Sequence, residues 1–334
     1  MGHTYIIAEA GVNHNGRLDL ALQLCDAAKA AGVDAVKFQT WKTEKIATQK
    51  APLAEYQETN IKGESESQFE MLKKLELSYE QFIEIKKYCE KIGIQFLSTP
   101  DDEDSLEFLA GLHLPFIKIS SGEVTNIPYL RQIASKHQPV ILSTGMSSLA
   151  EVAMAYNTLE EYKSGEIIIL HCTTNYPCPL EEVNLKAMVT LRDSFKCKVG
   201  YSDHTQGIEV PVAAVALGAE VIEKHFTLEK NMSGPDHKAS LNPEELTAMV
   251  NAIRNIEKAL GDGVKRPNRS ELEVCKVVQK SIVACNPIKK GEILSTENLT
   301  VKRLGCGIKA SYWDLLIGTE AQFDFKVDDP IKLK

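Results

Sequence analysis

Two stretches decide the fold: residues 199–205, VGYSDHT, and residues 219–227, AEVIEKHFT. Each is a short apolar run that reaches a histidine, His204 and His225, and the two lie 21 residues apart. That interval holds one strand, one helix and their connections. Two neighbouring parallel strands would then present both imidazoles at the same edge of a sheet, the geometry of a half-built metal site.

Working outward, the same unit repeats. Further β-rich runs stand at TYIIAEAG (4–11), DAVKFQT (34–40), IQFLSTP (94–100), PFIKISSGE (115–123), PVILSTGM (139–146) and EIIILHCTT (166–174). Between runs lie segments of helical spacing such as LDLALQLCDAAKAAG, YEQFIEIKKYCEKIG and IEVPVAAVALG. Near-continuous apolar strands alternating with helices indicate a parallel sheet covered on both faces. Eight such units predict a (β/α)8 TIM barrel over residues 1–261. An open doubly wound sheet is the alternative, but no Gly-rich phosphate loop follows the first run.

Every run finishes in polar or ionisable residues: Glu9, Lys37 with Gln39, Ser98 with Thr99, Lys118 with Ser120, Ser143 with Thr144, His171 with Thr173, Ser202 with His204, and Glu223 with His225. Side chains two apart share a face of a strand, so these residues can meet at the barrel mouth, where such barrels carry their active sites. Any one of them is explained equally well by a strand running out into a loop. Eight in succession are not.

Beyond the last helical segment the composition changes. Residues 262–279 read as a charged linker with one helix, and residues 280–334 as short strands and turns forming a small β-rich domain. Such a domain is expected to have little core of its own and to pack on a partner surface.

Composition narrows the function class. The net charge of -8 argues against a nucleic-acid surface. No run reaches the length of a membrane helix and the N-terminus lacks signal-peptide character, so a cytoplasmic enzyme is expected. The eight cysteines form no CxxC pair and are read as reduced thiols rather than as a zinc or redox motif.

Read in order, AEAGVNHNG, VKFQT, STP, KISSGE, STGM, HCTTNYPCP, GYSDHT, EKHFT and SGPDHKAS resemble the sialic acid synthases, from about Tyr5 to the C-terminus. The C-terminal part looks like the antifreeze-like (SAF) domain that ends them. The resemblance implies a condensation of phosphoenolpyruvate with an N-acylated mannosamine-type sugar. Phosphoenolpyruvate carries a phosphate and a carboxylate, so its site needs fixed cations and hydroxyl or amide donors. Lys37 and Lys118, with Thr99, Ser121, Ser143 and Ser202, are of that kind and match the family's phosphoenolpyruvate positions. Thr174 and Asn175 are both candidates for a further contact there.

By the same resemblance His204 and His225 match two ligands of a divalent metal, Mn2+ first, with Mg2+ or Co2+ as alternatives, which would polarise the sugar aldehyde. Glu9 and Glu123 match acid–base positions, and Asp236 a residue near sugar and metal; His237, beside it, is the weaker candidate. Gln39, Tyr176 and Phe226 are plausible sugar contacts. Arg303 matches an arginine that reaches the other subunit's barrel and binds the N-acyl group, implying a homodimer with swapped C-terminal domains.

Two departures stand out. Leu304 follows Arg303 where the family usually has proline, and Asp101 precedes Asp102 where relatives often carry Phe-Asp. N-acetylmannosamine, giving N-acetylneuraminate, is the expected acceptor. 2,4-Diacetamido-2,4,6-trideoxymannose, giving N,N'-diacetyllegionaminate, is the alternative. An octulosonate phosphate synthase or a non-catalytic sugar-binding barrel is disfavoured, the first by the C-terminal domain with Arg303, the second by the full set of ionisable residues.

Overall fold

The structure is a computed structural model that describes residues 2–54, 57–58 and 67–333. It divides into two compact units, with the boundary between Asp262 and Gly263.

In the first unit eight parallel strands form one ladder: β1 (Tyr5–Gly11), β2 (Ala35–Thr40), β3 (Gln95–Pro100), β4 (Ile117–Ile119), β5 (Val140–Ser143), β6 (Ile167–His171), β7 (Lys198–Asp203) and β8 (Val221–His225). The order is β3-β2-β1-β8-β7-β6-β5-β4, and the end strands β3 and β4 lie side by side to complete the ring. The main helices between and after the strands are α1 (Leu18–Ala31), α2 (Tyr79–Ile92), α3 (Glu103–Gly111), α4 (Ile127–Ala134), α5 (Leu149–Glu161), α6 (Lys186–Phe195), α7 (Glu209–Ala216) and α8 (Pro243–Leu260). This is the (β/α)8 barrel.

Local chemistry starts and stops the helices where the alternation requires. Ser78 with Gln81, Ser148 with Glu151 and Asn242 with Glu245 form reciprocal caps at the starts of α2, α5 and α8. Gly200 answers a different need. A Cβ there would lie 2.2 Å from the Val221 carbonyl oxygen, so β7 can approach β8 this closely only with glycine.

The strands are buried on both faces, and their two phases form two cores. Ile6, Phe38, Phe96, Ile119, Leu142, Ile169, Tyr201 and Ile222 face the helices in the large core. Ile7, Ala35, Leu97, Ile141, Ile168, Leu170 and Val221 plug the barrel interior. On β1, β2, β3, β5 and β8 the side chain two residues beyond the plug is polar, and that change sets the floor of the site.

The second unit contains α9 (Arg269–Val278), within the stretch expected as linker, then β9 (Lys280–Ala284) paired antiparallel to β10 (Leu299–Arg303). Contrary to the expectation of little core, it has its own apolar cluster, including Ile282, Ile288, Leu294, Leu299, Leu316, Phe325 and Ile331. All eight cysteines are free thiols. Among the described residues no helix is long and apolar enough to cross a membrane.

Candidate active site

One cavity at the carboxyl ends of the strands collects most of the residues singled out from the sequence. Glu9, Lys37, Gln39, Thr99, Lys118, Ser121, Ser143, Thr174, Tyr176, Ser202, His204 and His225 all line it. The strand period explains the selection. Glu9 follows Ile7, Lys37 follows Ala35, Thr99 follows Leu97, Ser143 follows Ile141 and Glu223 follows Val221, each two places beyond an interior plug residue.

At the bottom two lysines and two carboxylates form a buried network. Lys37 Nζ lies 2.6 Å from Glu9 Oε2 and 3.7 Å from Glu223 Oε2, and donates to Thr99 Oγ1 at 2.8 Å. Lys118 Nζ lies 3.5 Å from Glu223 Oε1 and donates to Ser143 Oγ at 2.7 Å. Ser202 Oγ donates to Glu223 Oε1 at 2.9 Å, and Gln39 Nε2 to Glu9 Oε1 at 3.1 Å. Unpaired, none of these charges would survive such burial.

The network sets the two carboxyls apart. Burial raises the Glu9 carboxyl, and the Glu223 charge adds to the rise, against the pull of Lys37. Burial also pushes Glu223 up, but Lys118 and Lys37 together outweigh it and hold it well below the ordinary carboxylate range. Burial lowers the Lys118 ammonium, which Glu223 supports in its charged form. The two carboxyls are thus pushed in opposite directions, Glu9 up by burial and Glu223 down by the two lysines.

The wall beside β4 and β5 offers hydroxyls. Gly145 N donates to Ser121 Oγ at 3.0 Å, and a Cβ on Gly145 would lie 2.1 Å from Thr174 Oγ1, so glycine keeps this pocket open. Thr174 Oγ1 is buried without a hydrogen-bond partner. Asn175 is exposed. Of the two alternatives, the structure brings Thr174 to the cavity.

At the far side His204 and His225 stand with ring centroids 5.4 Å apart. His204 Nδ1 is bonded to the Thr173 carbonyl at 2.7 Å, which leaves its Nε2 available. His225 Nδ1 is buried without a hydrogen-bond partner, 3.9 Å from Asp236 Oδ2. Burial lowers both imidazoles, so both are neutral and have a lone pair to give. Tyr176 covers the pair, its ring 4.1 Å from that of His204 and 5.5 Å, edge-on, from that of His225. An orphaned buried nitrogen beside a second neutral imidazole is a donor set that fits a divalent metal ion. Among the described residues no cluster of three or more His, Cys, Asp or Glu side chains is placed to hold a metal ion.

Several expected residues lie elsewhere. Phe226 is a correction: it is fully buried in the large core, because it follows the inward-facing His225 by one residue and so takes the opposite face of β8. Glu123 ends a short 3-10 turn, half-buried, and accepts from Asn126 Nδ2 at 2.6 Å, beside the cavity-lining Ser120, Ser121 and Gly122. Asp236 is buried, and burial raises its carboxyl to about 6. His237 is buried against Thr227, 2.7 Å away, and Asn15. Arg303 belongs to the second unit, where its exposed side chain ends β10. Glu223, legible from the sequence only as a polar strand end, gains its role in the network with Lys37 and Lys118, two places before His225 on the same face of the strand.

The comparisons with known proteins agree with this geometry. Residues 24–265 match the NeuB family and residues 279–334 the SAF domain. The chain is 51% identical to an N,N'-diacetyllegionaminic acid synthase of Campylobacter jejuni, across 99% of this chain and 100% of that protein. It is 49% identical to the enzyme of the same name from Legionella pneumophila, across 94% and 89%. Human N-acetylneuraminate-9-phosphate synthase is 38% identical, across 89% and 82%. Among solved structures, the N-acetylneuraminic acid synthetase of Leptospira borgpetersenii superposes with a TM-score of 0.72 at 36% identity, across 82% of this chain and 91% of that one. Barrel, cavity and matches together show that the chain belongs to the NeuB family of sialic and legionaminic acid synthases and ends in a SAF domain.

Proposed function

We propose that this enzyme is an N,N'-diacetyllegionaminic acid synthase, condensing phosphoenolpyruvate with 2,4-diacetamido-2,4,6-trideoxymannose and releasing phosphate. The observation that carries the acceptor is the identity of 51% and 49% to two synthases of that name, against 38% to an N-acetylneuraminate-9-phosphate synthase. N-acetylmannosamine, the acceptor expected from the sequence alone, becomes the second reading.

The cavity suits the chemistry. The phosphate and carboxylate of phosphoenolpyruvate would rest on Lys37 and Lys118, with Thr99, Ser121, Ser143, Thr174 and Ser202 as hydroxyl partners. Both lysines are held in place before substrate arrives, so their reorganisation adds little to the barrier. His204 and His225 would hold the divalent ion, Mn2+ by preference, which supplies Lewis-acid polarisation of the acceptor aldehyde. Carbon 3 of phosphoenolpyruvate attacks the aldehyde carbon, whose oxygen takes up a proton. Positive charge develops at carbon 2, and water adds there and gives up a proton. The carbon 2–oxygen bond to phosphate then breaks as the new hydroxyl loses its proton to become the ketone carbonyl. Glu9, its carboxyl raised by burial, stands beside Lys37 to stabilise that charge and to take the proton of the added water. Gln39 holds Glu9 by one oxygen. Asp236, next to His225, and Tyr176, over both rings, would orient the acceptor. Arg303 would come from the SAF domain of a second copy in a homodimer, and Glu123 would assist proton transfer from the rim.

Phosphate release from phosphoenolpyruvate, measured with each acceptor at equal concentration and with and without Mn2+, tests the reading. The diacetamido sugar is expected to give the higher kcat/KM, and chelation to abolish release. A higher kcat/KM with N-acetylmannosamine would reverse the order of the two readings, and no release with either sugar would end both.

A further inference from the structure

The two successive aspartates after β3, Asp101 and Asp102, have opposite fates. Asp102 is structural: its carboxylate accepts from Ser105 N at 2.9 Å, Ser105 Oγ at 2.6 Å and Lys42 N at 2.7 Å, capping α3 and tying it to the end of β2. Asp101 lines the active-site cavity. Its backbone N–H donates to the Thr40 carbonyl at 3.0 Å, which carries the ladder one residue past the strand. Asp101 thereby keeps the inward phase of Leu97 and Thr99, one step nearer the mouth. Among the described residues its carboxylate makes no hydrogen bond or ion pair, and the residue is partly exposed on the cavity wall, with the Lys37 charge acting on it from further off. Burial raises this carboxyl to about 7, with Lys37 opposing and the Glu123 and Glu9 charges adding to the rise.

A carboxyl with no partner in such a place awaits a donor. Phosphoenolpyruvate supplies none of the right kind, since its phosphate and carboxylate offer acceptors rather than donors. The histidine pair stands at the ends of β7 and β8, four and three strands away around the ring. What remains is the other substrate, an uncharged molecule rich in N–H and O–H groups. Resting on the reading of the cavity as a site for phosphoenolpyruvate and a neutral sugar, we propose that Asp101 is an acceptor-specificity residue: its carboxylate takes a hydrogen bond from an amide N–H or hydroxyl on the acceptor's carbons beyond the aldehyde, and takes no part in binding phosphoenolpyruvate.

The test uses the full-length, Mn2+-loaded enzyme. Asp101→Ala is expected to raise the acceptor KM about tenfold or more, as for loss of a hydrogen bond to a charged group, with the phosphoenolpyruvate KM within about twofold. Asp101→Asn keeps an oxygen that can accept and should recover part of the loss. Calorimetric titration of phosphoenolpyruvate should show equal or tighter binding to both variants, which also reports that they are folded. A phosphoenolpyruvate KM rising in step with that of the acceptor, weaker phosphoenolpyruvate binding, or a fall in kcat with both KM values unchanged would each overturn the assignment. An active wild type with an unchanged acceptor KM in Asp101→Ala defeats this proposal alone. A wild type that releases no phosphate with any acceptor defeats the parent reading with it.

Discussion

Glu223 occupies a position where burial alone would neutralise a carboxyl, and it stays charged because Lys37, Lys118 and Ser202 converge on it. The dependence is mutual, since Glu223 is the main influence opposing the loss of the Lys118 proton on burial. Replacing it with glutamine should lower the Lys118 ammonium further, so the amine would lose its proton at a lower pH. Glu223→Gln is therefore expected to bind phosphoenolpyruvate normally on the acid side of neutrality and to lose affinity earlier than wild type as pH rises. The measurement is the phosphoenolpyruvate KM between about pH 6 and 9, and parallel profiles would show that the pair is not coupled in this way. The lysines were legible in the sequence as charged residues inside apolar strands. Glu223 was legible too as a polar strand end, but its pairing with both lysines was not, because three strands must first bring the charges to the same point.

At the scale of the element, period-2 alternation sorts structure from site. On β7, Ser202 faces the cavity while Asp203 turns outward to the fully buried Lys224 Nζ, 2.5 Å away. On β8, Glu223 and His225 face in, and Phe226 is the next residue along. Phe226→Ala should then lower the free energy of unfolding by about 3–5 kcal/mol, while the acceptor KM of the folded enzyme stays within about twofold. Denaturant unfolding alongside steady-state kinetics checks this. A large change in acceptor KM with unaltered stability would return Phe226 to the sugar site. The aromatic beside a catalytic histidine invites a binding role, but a strand cannot place two consecutive side chains on one face.

For the whole molecule, the outstanding matter is what the second unit brings to the first. Arg303 stands exposed on the antiparallel pair of that unit, register-paired with Lys280. If a second copy presents it to the sugar, as proposed, Arg303→Ala should raise the acceptor KM far more than the phosphoenolpyruvate KM. Equal effects on both would contradict the assignment. Sedimentation of the wild type should give a dimer.

The sequence by itself determined the barrel, because eight apolar runs separated by helical segments have few ways to bury both faces. It also determined which strand ends carry charge, and through motif likeness the family. Tertiary structure decided what those charges do. It brought Thr174 rather than Asn175 to the cavity wall, withdrew Phe226 into the core, placed Glu223 between two lysines, and left Asp101 facing the cavity while Asp102 capped a helix. The physical reason is that a side chain's role here depends on which face it takes and on which charges arrive from other strands. Composition and spacing along one strand carry the first only partly, and the second not at all.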